Sequence, residues 1–129
     1  MAKKPGRKRL KNKVGEVPEG LFFQNADGIF LNTGDGLHTK ILFKDMLWFE
    51  AEASNTNLFT TKETYLIKTK IGQILDKLSL PYLMRVHRSY IINIKYVDAI
   101  GKYYASIKDK EIPISRSAWK EFKSHFIFA

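Results

Sequence analysis

Two short stretches of the sequence concentrate side chains able to grip a polyanion. In the first, His87-Arg88-Ser89 separates two apolar runs, Leu83–Val86 and Tyr90–Ile92, with no glycine or proline at the junction. The Arg88 guanidinium is a planar fork of donors that fits the O6/N7 edge of guanine or a phosphate, and His87 and Ser89 are ordinary phosphate partners. The same residues would equally make a surface turn held by an arginine–carboxylate pair, which is a frequent and weak arrangement. In the second stretch, Ser115-Arg116-Ser117 follows Ile112-Pro113-Ile114 and leads into a helical pattern. Free amides and the helix dipole favour an anion there, so Arg116 and its flanking serines suit a phosphate or a base edge. The plainer alternative is Ser117 as an N-cap with Arg116 in solvent. A third candidate is Ser54-Asn55-Thr56-Asn57, read as a polar loop whose Asn and Thr side chains either read base edges or simply form turns.

Nothing comparable recommends an enzyme. His38, His87 and His125 are scattered, without a metal-ligand neighbour three or four residues on, and there are no cysteines. No metal site, cofactor or thiol nucleophile is therefore expected. Glu50 and Glu52 would share a strand face, but an exposed acidic stripe explains them better than acid–base work. Gly34-Asp35-Gly36 lacks the Lys-Ser/Thr ending of a phosphate loop and reads as a turn. No small-molecule substrate is indicated.

The 129 residues carry a formal charge of +9, and its distribution matters more than its size. Seven of the 22 basic residues fall between Lys3 and Lys13, and no acidic residue precedes Glu16. The rest of the chain holds 15 basic and 13 acidic side chains, which is close to balance. Residues 1–20, with almost nothing apolar to bury, are expected to form a disordered basic tail, either a linker or an arm adding phosphate affinity. No apolar run is long enough to span a bilayer or to follow the basic start as a secretory signal, so a cytoplasmic location without membrane contact is expected.

The elements that must position these side chains begin at Leu21, where one domain, residues 21–129, is expected. Ile29–Leu31 and Lys40–Phe43 flank Thr33-Gly34-Asp35-Gly36, a glycine-rich hairpin or loop. Met46–Ala53 alternates, placing Leu47, Phe49, Ala51 and Ala53 on one side. Ile71, Ile74, Leu75 and Leu78 recur at helical spacing, and Leu80-Pro81 ends that helix. Leu83–Val86, Tyr90–Asn93, Val97–Ile100, Tyr103–Ile107 and Glu111–Ile114 read as strands. A last helix carries Trp119, Phe122 and Phe126 on one face. The fold expected is mainly β, with one short central helix and a C-terminal helix.

At these positions the chain resembles a known family. Leu83-Met84-Arg85-Val86-His87-Arg88-Ser89-Tyr90-Ile91-Ile92-Asn93 is similar to the signature of LytTR DNA-binding domains of bacterial transcription regulators. The resemblance extends through Asp45-Met46-Leu47-Trp48-Phe49-Glu50-Ala51, Val97-Asp98-Ala99-Ile100 and Ile112-Pro113-Ile114-Ser115-Arg116. It covers roughly Gly28 to Phe126.

The resemblance implies an elongated stack of small antiparallel sheets that inserts loops, not a recognition helix, into successive major grooves of double-stranded DNA and bends it. It implies base contacts from Arg88 and Arg116, with a third from Thr56 and Asn57 beside it. Unlike some members, this chain has no strongly basic residue in that third loop. His87, Ser89, Ser115, Ser117 and Lys120 match contacts to the DNA backbone. Paired half-sites, with a second copy on the same DNA, are also implied. LytTR domains commonly follow a receiver domain, and the residues before Leu21 are too few to hold one. The chain is then a stand-alone regulator or the output part of a two-component response regulator. Two other readings stand beside this one. An RNA-binding β-module would stack bases on Tyr65, Tyr90, Tyr103 and Tyr104. A protein-interaction domain would use its basic tail as a tether.

Overall fold

A computed structural model describes residues 26–129. The basic segment 1–20 and the expected start of the domain at Leu21 lie outside the described residues. Among the described residues ten strands form three antiparallel sheets. Strands β1 (Gly28–Gly34) and β2 (Leu37–Leu42) make a hairpin. Its two-residue turn is Asp35-Gly36, both at positive φ (52° and 77°), the conformation in which glycine is at no disadvantage.

The central sheet contains β3 (Met46–Glu52), β4 (Asn55–Thr60), β5 (Thr64–Ile67), β6 (Leu83–His87) and β7 (Tyr90–Asn93), in the order β5-β4-β3-β7-β6. Between β5 and β6 a 3-10 turn, Ile71–Gln73, continues into helix α1 (Ile74–Lys77). The third sheet joins β8 (Ala99–Gly101), β9 (Tyr104–Ile107) and β10 (Lys110–Pro113), and helix α2 (Arg116–Lys123) follows it.

Strand periodicity divides the buried side chains into two cores, one on each face of the central sheet. Phe49, Leu58, Leu83 and Ile91 pack with Ile71, Ile74 and Leu78 of the helical segment and with Ile41 of β2. Trp48, Met84, Val86 and Ile92 pack with Ala105, Ile107 and Ile112 of the third sheet and with Phe122 of α2. The helical spacing of Ile71, Ile74 and Leu78 thus marks a buried face, as the sequence suggested.

Two sequence readings change. Leu47 does not share a side with Phe49, because a register irregularity between Met46 and Trp48 places both Leu47 and Trp48 in the second core. Ser54–Asn57 is not a loop. The turn is Ala53-Ser54, with Ala53 at φ 55°, and β4 already begins at Asn55.

Candidate nucleic-acid interface

Arg88 lies exposed in the two-residue turn that joins β6 to β7, where His87 pairs with Tyr90. Tight hairpins normally use turns with positive φ at one or both central residues. Neither Arg88 nor Ser89 adopts it, whereas Asp35-Gly36 and Lys108-Asp109 do in their hairpins. This turn is instead held by polar contacts. The Ser89 amide donates to His87 Nδ1 (3.1 Å), and Arg85 donates from Nε to the His87 carbonyl (3.0 Å) and from Nη2 to the Arg88 carbonyl (2.5 Å). The Ala51 amide donates to the Ser89 carbonyl (2.9 Å), tying the turn to the end of β3. His87 also meets the Tyr90 ring edge-on at 5.8 Å between centroids.

Arg116 is the exposed first residue of α2, and Ser115, not Ser117, is the N-cap. The Ser115 hydroxyl does not cap; it lies 3.2 Å from the Ser117 hydroxyl. The first turn of α2 holds no acidic residue, while Lys120 and Lys123 sit in the last turn. Cations suit a helix C-terminus and oppose the dipole at an N-terminus. Arg116 is therefore misplaced for helix stability and well placed to share an arriving anion with the free amides.

Its guanidinium rests over the Tyr103 ring, 4.9 Å from the centroid, and Tyr103 in turn packs on Trp119 (5.1 Å). Tyr103 has φ 63°, a left-handed conformation uncommon for a bulky side chain. Its carbonyl accepts from the Ile114 amide (2.9 Å), which joins this turn to the approach to α2.

One backbone bond connects the two arginine sites: the Ser115 amide donates to the Val86 carbonyl at 2.8 Å. Each arginine is within two residues of that bond. With Ala51 bonded to Ser89 on the other side, the Arg88 turn lies between the β3–β4 hairpin and the start of α2. His87, Ser89 and Ser115 sit half-buried along this seam, and Ser117 and Lys120 are exposed.

The third site does not assemble as expected. Thr56 is fully buried, and its hydroxyl donates to the Thr69 carbonyl (2.7 Å). It belongs to the β4 core face and is withdrawn as a base contact, because reaching DNA would require opening that face. Asn57, on the opposite face of β4, is half-buried and donates from Nδ2 to Glu52 Oε1 (2.5 Å) beside the Ala53-Ser54 turn. Glu50 is no free acidic stripe either, since it accepts from Trp48 Nε1 (3.4 Å) and lies 3.9 Å from Lys110 Nζ.

From sequence alone Arg85 has no assigned role and Tyr103 is only a strand residue and a base-stacking ring; these are the two residues that hold the arginine sites. Tyr103, read as the first residue of a strand, instead lies in the turn before β9; for Arg85 the signal was a cation on a strand otherwise apolar. The tyrosines proposed as a stacking platform do not share a face. Tyr65 packs against the first core, where burial and the nearby Glu63 raise its phenol pKa, and Tyr90 packs against the second. An open groove of about 810 Å³ between Leu31–Asp35 and Glu63–Thr69 includes neither arginine. Among the described residues no three His, Asp or Glu side chains converge as a metal site would require, and no helix is long and apolar enough to cross a membrane.

The LytTr DNA-binding domain profile matches residues 38–127. The chain is 31% identical over 86 residues to the transcriptional regulatory protein YpdB of Escherichia coli K12, covering 61% of this chain and 35% of that protein. It is also 31% identical over 86 residues to the sensory transduction protein LytT of Bacillus subtilis, covering 62% and 36%. A third relative, at 26% identity over 87 residues, is the heme-containing CO-sensing transcriptional regulator RcoM 2 of Paraburkholderia xenovorans, covering 62% and 33%. The chain thus spans about a third of the length of these relatives. In fold it is similar to the LytTr DNA-binding domain of a putative methyl-accepting/DNA response regulator from Bacillus cereus, with TM-score 0.64 and 23% identity over 76% of this chain and 94% of that one.

Proposed function

The chain belongs to the LytTR family of DNA-binding domains, a class of binding modules and not of enzymes, and on that premise we propose that it reads duplex DNA with Arg88 and Arg116 to regulate transcription. The observation that carries this reading is the Ser115–Val86 backbone bond, which brings two exposed arginines to one seam of a mainly β domain. Arginine forks at rigid turn and helix ends can discriminate guanine, and the flanking polar groups can take phosphates. In this reading His87, Ser89, Ser115, Ser117 and Lys120 anchor the DNA backbone. Asn57 stays as an outer contact, on condition that it exchanges its Glu52 bond for a base.

The loops would enter successive major grooves on one face of the duplex and bend it, adding specificity from deformability. Two copies would occupy paired half-sites. The basic segment 1–20 would add sequence-independent phosphate affinity. A transcriptional role of the whole protein is proposed by analogy with its relatives. In that role the chain would be a stand-alone regulator or the output part of a response regulator, acting in the cytoplasm.

In vitro selection of duplex DNA by the purified protein at physiological salt would supply the cognate site, and an unenriched pool would count against the reading. On that site Arg88→Ala and Arg116→Ala are each expected to lose about 1–3 kcal/mol, with a smaller change on scrambled duplex. If both variants bind both duplexes as the parent does, the assignment is wrong.

A further inference from the structure

We infer that Arg85 is a positioning residue for DNA reading: its guanidinium clamps the β6–β7 turn and thereby aims Arg88, without itself contacting DNA. The inference rests on the proposed role of Arg88 and adds to it a residue that a count of surface cations would assign to a phosphate.

The geometry sets Arg85 apart from the other basic side chains of this seam. Its Nε and Nη2 form one edge of the planar guanidinium, and that edge faces two successive carbonyls, His87 at 3.0 Å and Arg88 at 2.5 Å. Charge-assisted bonds of this kind are stronger than neutral ones, and a fork fixes direction as well as distance. The turn needs such a brace because neither of its central residues takes the left-handed φ that suits a two-residue hairpin, and register slips between Arg85 and His87. Strand alternation places Arg85 on the first-core face, opposite Met84 and Val86. There its Nη1 lies 3.8 Å from the position a Cβ on Gly72 would occupy. The guanidinium is thus flanked by the 3-10 turn that precedes α1. Arg88, by contrast, extends from the exposed tip.

A lysine at position 85 keeps the charge but loses the fork, which separates clamping from simple attraction. Binding of the parent, Arg85→Lys, Arg85→Met, Arg88→Ala and Arg85→Lys/Arg88→Ala proteins to the selected duplex and to its scrambled version would be measured across a salt series, with thermal unfolding followed in parallel. Arg85→Lys and Arg85→Met are each expected to bind the cognate duplex about tenfold more weakly, the equivalent of one to two hydrogen bonds' worth of aim. Scrambled binding by Arg85→Lys and its salt slope should match the parent. In the Arg88→Ala background, Arg85→Lys should have no further effect, because residues acting through one contact are not additive.

Full cognate affinity in Arg85→Lys, or an equal loss on both duplexes with a salt slope shallower by about one for Arg85→Met, would overturn the clamp and make Arg85 a phosphate contact. A loss in Arg85→Lys that persists undiminished without the Arg88 side chain would also overturn it. Should Arg88→Ala leave cognate binding intact, the role of Arg88 fails first and the clamp's function fails with it. An effective Arg88→Ala beside an inert Arg85→Lys refutes the clamp alone.

Discussion

The two arginines of the candidate interface are presented by opposite means. Arg88 stands on a turn whose shape is held by polar contacts: two carbonyls on Arg85, one amide on the His87 ring and one carbonyl on the Ala51 amide. Arg116 stands on a helix held by aromatic and apolar packing. Phe122 is fully buried, its ring lies 5.8 Å from Trp119 and 5.1 Å from Phe126, and Tyr103 supports the guanidinium from below. Polar bracing gives direction at little cost in buried area, and it depends on each donor being present. Packing gives rigidity through many small contacts and tolerates the loss of any single polar group. The same backbone seam carries both, so the contrast lies in the side chains.

The contrast breaks most visibly at the helix anchor. Phe122→Ala is expected to lower stability by about 3–5 kcal/mol, as truncating a buried aromatic generally does. Urea unfolding would measure it. A loss under about 1 kcal/mol would mean that α2 is not held by its core face, and the Arg116 side of the comparison would need another support.

A smaller effect should come from Thr56, which sits off the interface altogether. Thr56→Val keeps the shape, removes the hydroxyl and leaves the Thr69 carbonyl without its donor. Stability should fall by about 1–3 kcal/mol, with the ratio of cognate to scrambled DNA affinity unchanged. A changed ratio would return Thr56 to the contact set and make the β3–β4 hairpin a third reading element.

That residue also shows where sequence reasoning stopped. Ser54-Asn55-Thr56-Asn57 contains only turn-prone residues, and local composition called for a loop. Cross-strand pairing overrode it, since Asn55, Thr56 and Asn57 pair with Glu52, Ala51 and Glu50, and Thr56 and Asn57 pair with Ile67 and Leu66 on the other side. The Tyr90–Asn93 strand, the buried face of Ile71, Ile74 and Leu78, and the placement of Arg88 and Arg116 at element ends were legible, because period and charge are local properties. What holds the arginines was not. The Arg85 clamp depends on a turn without positive φ, and the Tyr103 platform on a turn with it. Neither backbone state is written in residue type.

Tyr103 offers the next test. Tyr103→Asn puts a residue that tolerates positive φ at 63° and removes the ring beneath Arg116. Cognate affinity is expected to fall by about 0.5–1 kcal/mol, the scale of an exposed cation–π contact, while the unfolding midpoint should hold or rise. Titration of the selected duplex and a thermal melt read the two quantities separately. Unchanged affinity would show that the helix N-terminus alone aims Arg116.

The smallest effect separates the two modes most finely. Ser115 occupies the N-cap of α2, where replacing serine by alanine commonly costs about 1 kcal/mol through loss of a side-chain bond to a helix amide. Here the hydroxyl makes no such bond, and the backbone amide of the same residue is already committed to Val86. Ser115→Ala should therefore cost less than about 0.5 kcal/mol in urea unfolding, a value typical of substitutions away from a working cap. The proposed contact of this hydroxyl with the DNA backbone would show as a modest loss of affinity on cognate and scrambled duplexes alike. A stability loss of about 1 kcal/mol would instead show that α2 relies on a polar cap, as the Arg88 turn relies on Arg85, and the distinction between the two arginine sites would narrow.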